Sequence, residues 1–185
     1  MSDTLLDDLL PAAQAGEAWA LRAVYEQLAP KVLSYLRVRG ASEPEDLTSE
    51  VFLTVFPKLS AVTGGASGLR TFTFSVAHAR LVDDLRKRGR REPVVPYDPA
   101  QDPRTTHSAE QVAVDNVQSE WVATLLRTLP ADQRDVLVLR IIGDLTVEQV
   151  ARAMGRSTGA VKQLQRRGLL SLRKVLDHHP GGVTL

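Results

Sequence analysis

No cysteine occurs among the 185 residues, which excludes a disulfide framework, a thiolate metal site and redox sensing by any thiol of this chain. A reducing cytoplasm is the compartment that suits such a composition. No apolar run approaches the length of a membrane span. The opening MSDTLLDDLLPAA carries three acids and lacks the basic stretch that begins a secretory signal, so neither export nor membrane insertion is expected. Catalytic signatures are missing as well. There is no GxSxG, no P-loop and no HExxH, and neither a Ser or Tyr nucleophile with basic partners nor a set of spaced carboxylates stands out. No His or Cys lies at metal-ligand spacing from His78, which reads as a helix-surface or pocket-rim residue. No catalytic residue, metal or cofactor is expected.

The net charge is only +1, but its distribution is uneven. Residues 86–91 (RKRGRR) carry five positive charges, and residues 156–174 carry six with no acid. The other 160 positions hold 12 basic and 22 acidic residues. Two basic segments on an acidic body imply two contacts with a polyanion and an acidic surface left for a protein partner.

The second basic segment lies in the sequence LTVEQVARAMGRSTGAVKQLQRRGLLSLRK, beginning at Leu145, which reads as a helix-turn-helix. Thr146 can cap a helix, with Gln149 placed to complete a capping box and Val147, Val150, Ala151 and Met154 on one face. Gly155 ends it. Ser157 or Thr158 then caps a second helix in which Val161, Leu164 or Gln165, Gly168 and Leu172 point inward while Lys162, Gln163, Arg166 and Arg167 point out. A basic outer face is often merely solvated. The short turn, the run without acid and the polar side chains at the start of the second helix favour DNA, with the helix in the major groove.

Upstream, residues 5–39 read as helix, with Leu21, Val24 or Tyr25, Leu28, Val32 and Leu36 inward and breaks or kinks expected at Gly16 and Pro30. Ser42 and Glu45 predict a capping box opening EDLTSEVFLTVFPKL, whose inner face is Leu47, Val51, Phe52 and Val55 and whose outer face carries Asp46, Ser49 and Glu50. TGGASG (63–68) reads as a flexible loop. In LRTFTFSVAHARLVDDLRKRGRR, Phe74, Ala77, Leu81 and Leu85 trace a buried face widened by Phe72 and Val76. At least one of Phe72 and Phe74 is expected in the core, and Asp83 and Asp84 are expected on a solvated face with local pairing to Arg80, Arg86 or Lys87.

Four prolines between Glu92 and Asn116 mark an extended linker. A helix from about Ser108 or Ser119 carries Trp121, Val122, Leu125, Leu126 and Leu129. The run VLVLRII after Pro130 is short and β-branched, yet Pro130 and Asp132 are start signals and Gly143 is a stop, so it reads as helix. The expected fold is all-α. Two small helical domains, 1–91 and 119–177, are joined by a Pro-rich linker at 92–118, the second domain being the helix-turn-helix. Residues 178–185, with two adjacent His, read as a disordered tail.

With these motifs in order, the chain resembles bacterial RNA polymerase sigma factors of the extracytoplasmic-function (ECF) group over nearly its whole length. SEPEDLTSEVFLTVF looks like the family's core-binding helix, LRTFTFSVAHARLVDDLRKRGRR like its promoter-melting and minus-10-reading helices, and LPADQRDVLVLRIIGDLTVEQVARAMGRSTGAVKQLQRR like its minus-35-reading domain. The resemblance implies a transcription initiation factor whose partners are core RNA polymerase (β′ and β subunits), promoter DNA and an anti-sigma factor. By the same analogy Asp46, Ser49 and Glu50 contact the β′ clamp helices. Phe72, His78, Ala79, Arg80, Arg86, Lys87, Arg88, Arg90 and Arg91 serve the minus-10 element, and Ser157, Thr158, Lys162, Gln163, Arg166 and Arg167 serve the minus-35 element. Phe72 and Ala79 stand where the family commonly has Trp and Asn, and AVKQLQRR replaces the common TVKSRLxR. A competing reading is a helix-turn-helix regulator that binds an operator without polymerase, which leaves the RKRGRR cluster and the linker without a role.

Overall fold

A computed structural model describes residues 2–91, 122 and 124–177, and the described residues are helical throughout their regular structure. In chain order the elements are α1 (Ser2–Gln14), α2 (Ala18–Val38), α3 (Pro44–Val55), a 3-10 turn (Phe56–Ala61), α4 (Gly65–Arg91), α5 (Ala131–Ile141), α6 (Val147–Met154) and α7 (Thr158–Asp177). None of these helices is long and apolar enough to cross a membrane. The expected linker, the tail and Trp121 lie outside the described residues.

The N-terminal cluster forms because four helices each carry an apolar stripe. Val24, Leu28, Val32 and Leu36 of α2 meet Val51, Phe52 and Val55 of α3 and Leu69, Phe74, Ala77 and Leu81 of α4, all buried. Phe74 supplies the core aromatic, edge-on to Tyr35 at 5.9 Å between ring centroids. Val24, not Tyr25, takes the inward position. α1 closes one side with Leu6, Leu9, Leu10 and Ala13. Residues 5–39 are two helices: Gly16, at φ +84°, turns the chain between α1 and α2. Pro30 sits inside α2 without ending it, on an exposed position.

Two local expectations fail at the starts of α3 and α4. The Ser42–Glu45 capping box is not formed. The helix starts at Pro44, so its cap position is Glu43, and no side chain caps it. Ser42 instead gives its backbone N–H and its hydroxyl to the Asp84 carboxylate (3.1 and 2.6 Å), while Glu45 pairs with Arg37. Asp84 is therefore a tether between α4 and the approach to α3, not a solvated carboxylate. Asp83 does pair locally, with Arg86 at 3.9 Å. TGGASG is not a loop throughout, since α4 begins at Gly65. Asp7 of α1 accepts a bond from the Ala66 N–H at 2.6 Å, satisfying one of the donors that a helix start leaves open.

In the C-terminal cluster VLVLRII is helical, as its punctuation predicts: α5 buries Val136, Leu137, Val138 and Leu139. The α6 capping box is complete, with Thr146 Oγ1 and Gln149 Oε1 bonding each other's backbone N–H. Gly155 closes α6 at φ +62°. Ser157 caps α7, its hydroxyl accepting from the Ala160 N–H at 3.2 Å, and Thr158 is the first helical residue. Of the two residues left open, Leu164 packs on the core. Gln165 lines an outer groove with Lys162, Arg166, Leu169 and Leu170.

Candidate nucleic-acid interface

The helix-turn-helix presents its side chains as its spacing predicts. Val161 is fully buried, and Gly168 seats α7 against α5, close enough that an added Cβ would lie 3.0 Å from Leu137 Cδ1. That contact turns the opposite face outward. Ser157, Thr158, Lys162, Gln163, Arg166 and Arg167 are all exposed along it. Because α7 carries no acid before Asp177, nothing on its own surface neutralises Lys162, Arg166 and Arg167 at hydrogen-bond range.

On α3, burial of Leu47, Thr48, Val51 and Phe52 leaves Asp46, Ser49 and Glu50 together on the exposed side. Glu50 faces Arg80 of α4 at 3.6 Å, and Arg80 also donates to Thr54 at 3.2 Å. An expected polymerase-contact residue and an expected promoter residue are thus neighbours. The remaining promoter residues on α4 divide. Phe72 is half-buried in a cleft of about 450 Å³ with Pro57, Lys58, Val62 and Gly68. His78, Ala79 and Arg86 line another cleft, of about 420 Å³, whose far wall is Asp132, Met154 and Arg156. Six residues of helix place Phe72 and His78 well apart around the axis, so one pocket cannot use both. Lys87 and Arg90 are exposed, and Arg88 is occupied by the Gly40 carbonyl and by Asp84.

His78 is not a free surface residue. Its Nδ1 lies 2.9 Å from the Tyr35 hydroxyl and 4.0 Å from Asp135 of α5, with only 13% of its side chain exposed. Burial lowers its pKa from the ordinary histidine value, partly opposed by the Asp135 carboxylate. Tyr35 is fully buried and its pKa is raised, first by burial and then by Asp135. Asp135 receives both ends of the Arg39 guanidinium, Nη2 at 3.0 Å to Oδ2 and Nε to Oδ1, with both side chains almost entirely buried. Two further links join the same halves. Arg70 Nη1 donates to the carboxylate and the carbonyl of Asp144 (3.1 and 3.2 Å), and Gln149 Nε2 donates to the hydroxyl and the carbonyl of Ser67 (2.5 and 3.3 Å).

Tyr35, Arg39, Arg70, Asp135 and Asp144 carry no sequence motif and are not among the expected site residues. One signal points to two of them, Arg39 and Asp135. Arg39 follows Tyr35 and Leu36 at helical spacing, and Asp135 precedes Val138 and Leu139 in the same way, so each places a charge on a buried stripe. Opposite charges on two apolar stripes are what a buried inter-helix ion pair requires.

Comparison with known proteins identifies the family. Residues 24–91 match the family described as Sigma-70 region 2, and residues 125–174 match Sigma-70, region 4. The chain is 31% identical over 180 residues to the ECF RNA polymerase sigma factor SigD of Mycobacterium tuberculosis, covering 94% of this chain and 84% of that one. It is 29% identical over 171 residues to the ECF sigma factor BldN of Streptomyces coelicolor, covering 91% of this chain and 65% of that one. The fold is shared with the sigma factor RpoE of Bartonella quintana, solved with the anti-sigma factor NepR (TM-score 0.65, 20% identity, 84% of this chain and 96% of that one). With both sigma regions in order on one chain and this identity to SigD, the protein belongs to the ECF group of bacterial RNA polymerase sigma factors, which direct core polymerase to promoters.

Proposed function

We propose that the chain divides this work among three helices. α3 docks on the β′ subunit of core polymerase through Asp46, Ser49 and Glu50, and the β subunit completes the contact. α4 takes the melted minus-10 region with His78, Ala79 and Arg80 near its middle, Phe72 at a separate pocket, and Arg86, Lys87, Arg88, Arg90 and Arg91 on the backbone. α7 enters the upstream major groove with Ser157, Thr158, Lys162, Gln163, Arg166 and Arg167. Capture of an unstacked base offsets an unpairing cost of a few kcal/mol. In this reading residues 1–91 and 119–177 are the two domains, 92–118 a linker laid along the polymerase, and 178–185 a tail. An anti-sigma factor is the expected inhibitor, as NepR is the anti-sigma factor bound to its fold relative.

The observation that carries the reading is the pair of exposed ridges, acidic on α3 and basic on α7, each backed by a buried apolar stripe on its own helix. The test is reconstitution with core RNA polymerase. The chain should make core enzyme produce run-off transcripts, and Asp46→Lys with Glu50→Lys should abolish retention on core enzyme. Wild-type retention by that variant, at unchanged helicity, would remove α3 from the polymerase contact.

A further inference from the structure

We propose that α1 is a splint for the Phe72 cleft: Gln14 and Asp7 are positioning residues that hold the chain between the 3-10 turn and α4 in the geometry that discriminates one unstacked base from another. The proposal rests on the assignment of that cleft to the melted minus-10 strand and adds the residues that set its selectivity.

The stretch that walls the cleft has little to hold it from within. Ser60, Ala61, Val62 and Thr63 line the cleft with Phe72. The 3-10 turn ends at Ala61, and Val62 is already extended (φ −73°, ψ 127°). Gly64 and Gly65 follow, both at positive φ (+86° and +62°), and glycine leaves a backbone more freedom than any other residue. α1 removes that freedom at both ends of the stretch. Gln14 Nε2 donates to the Leu59 carbonyl at 3.2 Å and to the Val62 carbonyl at 2.8 Å, so one amide bridges the exit of the turn. Asp7 Oδ1 accepts from the Ala66 N–H at 2.6 Å, and a Cβ on Gly65 would lie 2.6 Å from the same oxygen. Seven residues are about two helical turns, which puts Asp7 and Gln14 on one side of α1.

These bonds do something that the packing of α1 does not. Leu6, Leu9, Leu10 and Ala13 seat the helix, whereas Asp7 and Gln14 act on backbone atoms beside the cleft. Stacking on an aromatic ring accepts every base, because each has a π face. Phe72 alone therefore cannot tell one base from another. Discrimination needs hydrogen-bonding groups held to within about 0.5 Å. Ser60 and Thr63 are exposed on the wall and can supply them, and both stand on the stretch that α1 fixes. α1 itself precedes residues 24–91, so this support comes from outside the part that matches Sigma-70 region 2.

The probe is a pool of single DNA strands random over about 12 positions, within the length that a single-strand groove contacts. Holoenzyme made from the full chain and core RNA polymerase selects from the pool, and the bound strands are sequenced. Phe72→Ala identifies the position seated in the cleft as the one whose base preference it removes, since a base not stacked there no longer meets the wall. At that position wild type should prefer its base about five- to a hundredfold, and Gln14→Met, which keeps the length and loses both donors, should bring the preference to within about threefold of even. The other positions and retention on core enzyme should not change. Asp7→Ala should act in the same way, while Asp7→Asn, which keeps an acceptor for the Ala66 N–H, should behave as wild type. Bonds that merely stabilise the fold would weaken all positions together. A preference lowered evenly along the strand in Gln14→Met, or unchanged at the Phe72 position, overturns the splint. Should Gln14→Met fail to fold, Asp7→Ala against Asp7→Asn decides by the same criterion. If Phe72→Ala alters no single position, the cleft takes no base, and the assignment of Phe72 fails together with the splint.

Discussion

At the scale of single residues, two glycines of α4 separate close packing from simple permissiveness. A Cβ on Gly68 would sit 1.8 Å from the Thr63 carbonyl oxygen, a backbone atom fixed by the turn at Gly64 (φ +86°). Nothing lies within 4 Å of a Cβ on Gly89. Gly68→Ala should therefore cost about 1–3 kcal/mol by forcing the first turn of α4 away from the chain before it. Gly89→Ala, inside an exposed helical stretch, should stabilise by about 0.5–1 kcal/mol, because glycine loses more freedom on folding than alanine. Chemical denaturation of the two variants checks this. The pair must move in opposite directions, and a common sign would mean that the close approach at Gly68 is not what holds the start of α4.

At the scale of helices, what is legible in the sequence is what a helix does to itself. The α6 box of Thr146 and Gln149, the stop at Gly155 and the inward stripe of α7 depend on residues within a few positions of one another, so spacing alone finds them. The start of α3 escapes this kind of reading because the same pattern, Ser42 with Glu45, competes with Asp84 from another helix, and the distant carboxylate wins. Residues 63–68 escape it for a similar reason: glycines signal a loop, but Asp7 of α1 supplies the cap that lets α4 begin among them. The exposed ridge of α7 is legible because it faces solvent, whereas the ion pair of Arg39 and Asp135 spans 96 residues and needs the fold to bring it together. The ridge makes a quantitative claim. Arg166→Ala with Arg167→Ala should reduce the slope of log affinity against log salt for upstream duplex by about 0.9 for each phosphate that is no longer neutralised. Arg88→Ala should instead lower thermal stability, since that guanidinium holds the Gly40 carbonyl and faces Asp84. A melting temperature unchanged in Arg88→Ala would leave the DNA backbone as the one role of Arg88.

At the scale of the whole molecule, the buried histidine makes the packing of α5 on α2 and α4, here the closed form, sensitive to acid. His78 on α4 faces Tyr35 and Arg39 of α2, Asp132 and Asp135 of α5, and Arg156 ahead of α7. Burial lowers its pKa below the ordinary value of 6.5, against the opposing pull of the carboxylates. When α5 leaves, the ring is hydrated and its pKa returns toward that ordinary value, so the open form binds the proton more readily. By linkage, the closed form is favoured while both forms are neutral, above the ordinary histidine pKa, and loses ground as pH falls through that value toward the lowered one. Moving from about pH 7.5 to about 5.5, a window that brackets the ordinary histidine pKa, should expand the free protein in X-ray scattering, with helicity retained. His78→Gln, which cannot take up the proton, should show less expansion over the same interval. Acid expansion of equal size in His78→Gln and wild type would show that protonation of His78 is not what separates α5 from α4.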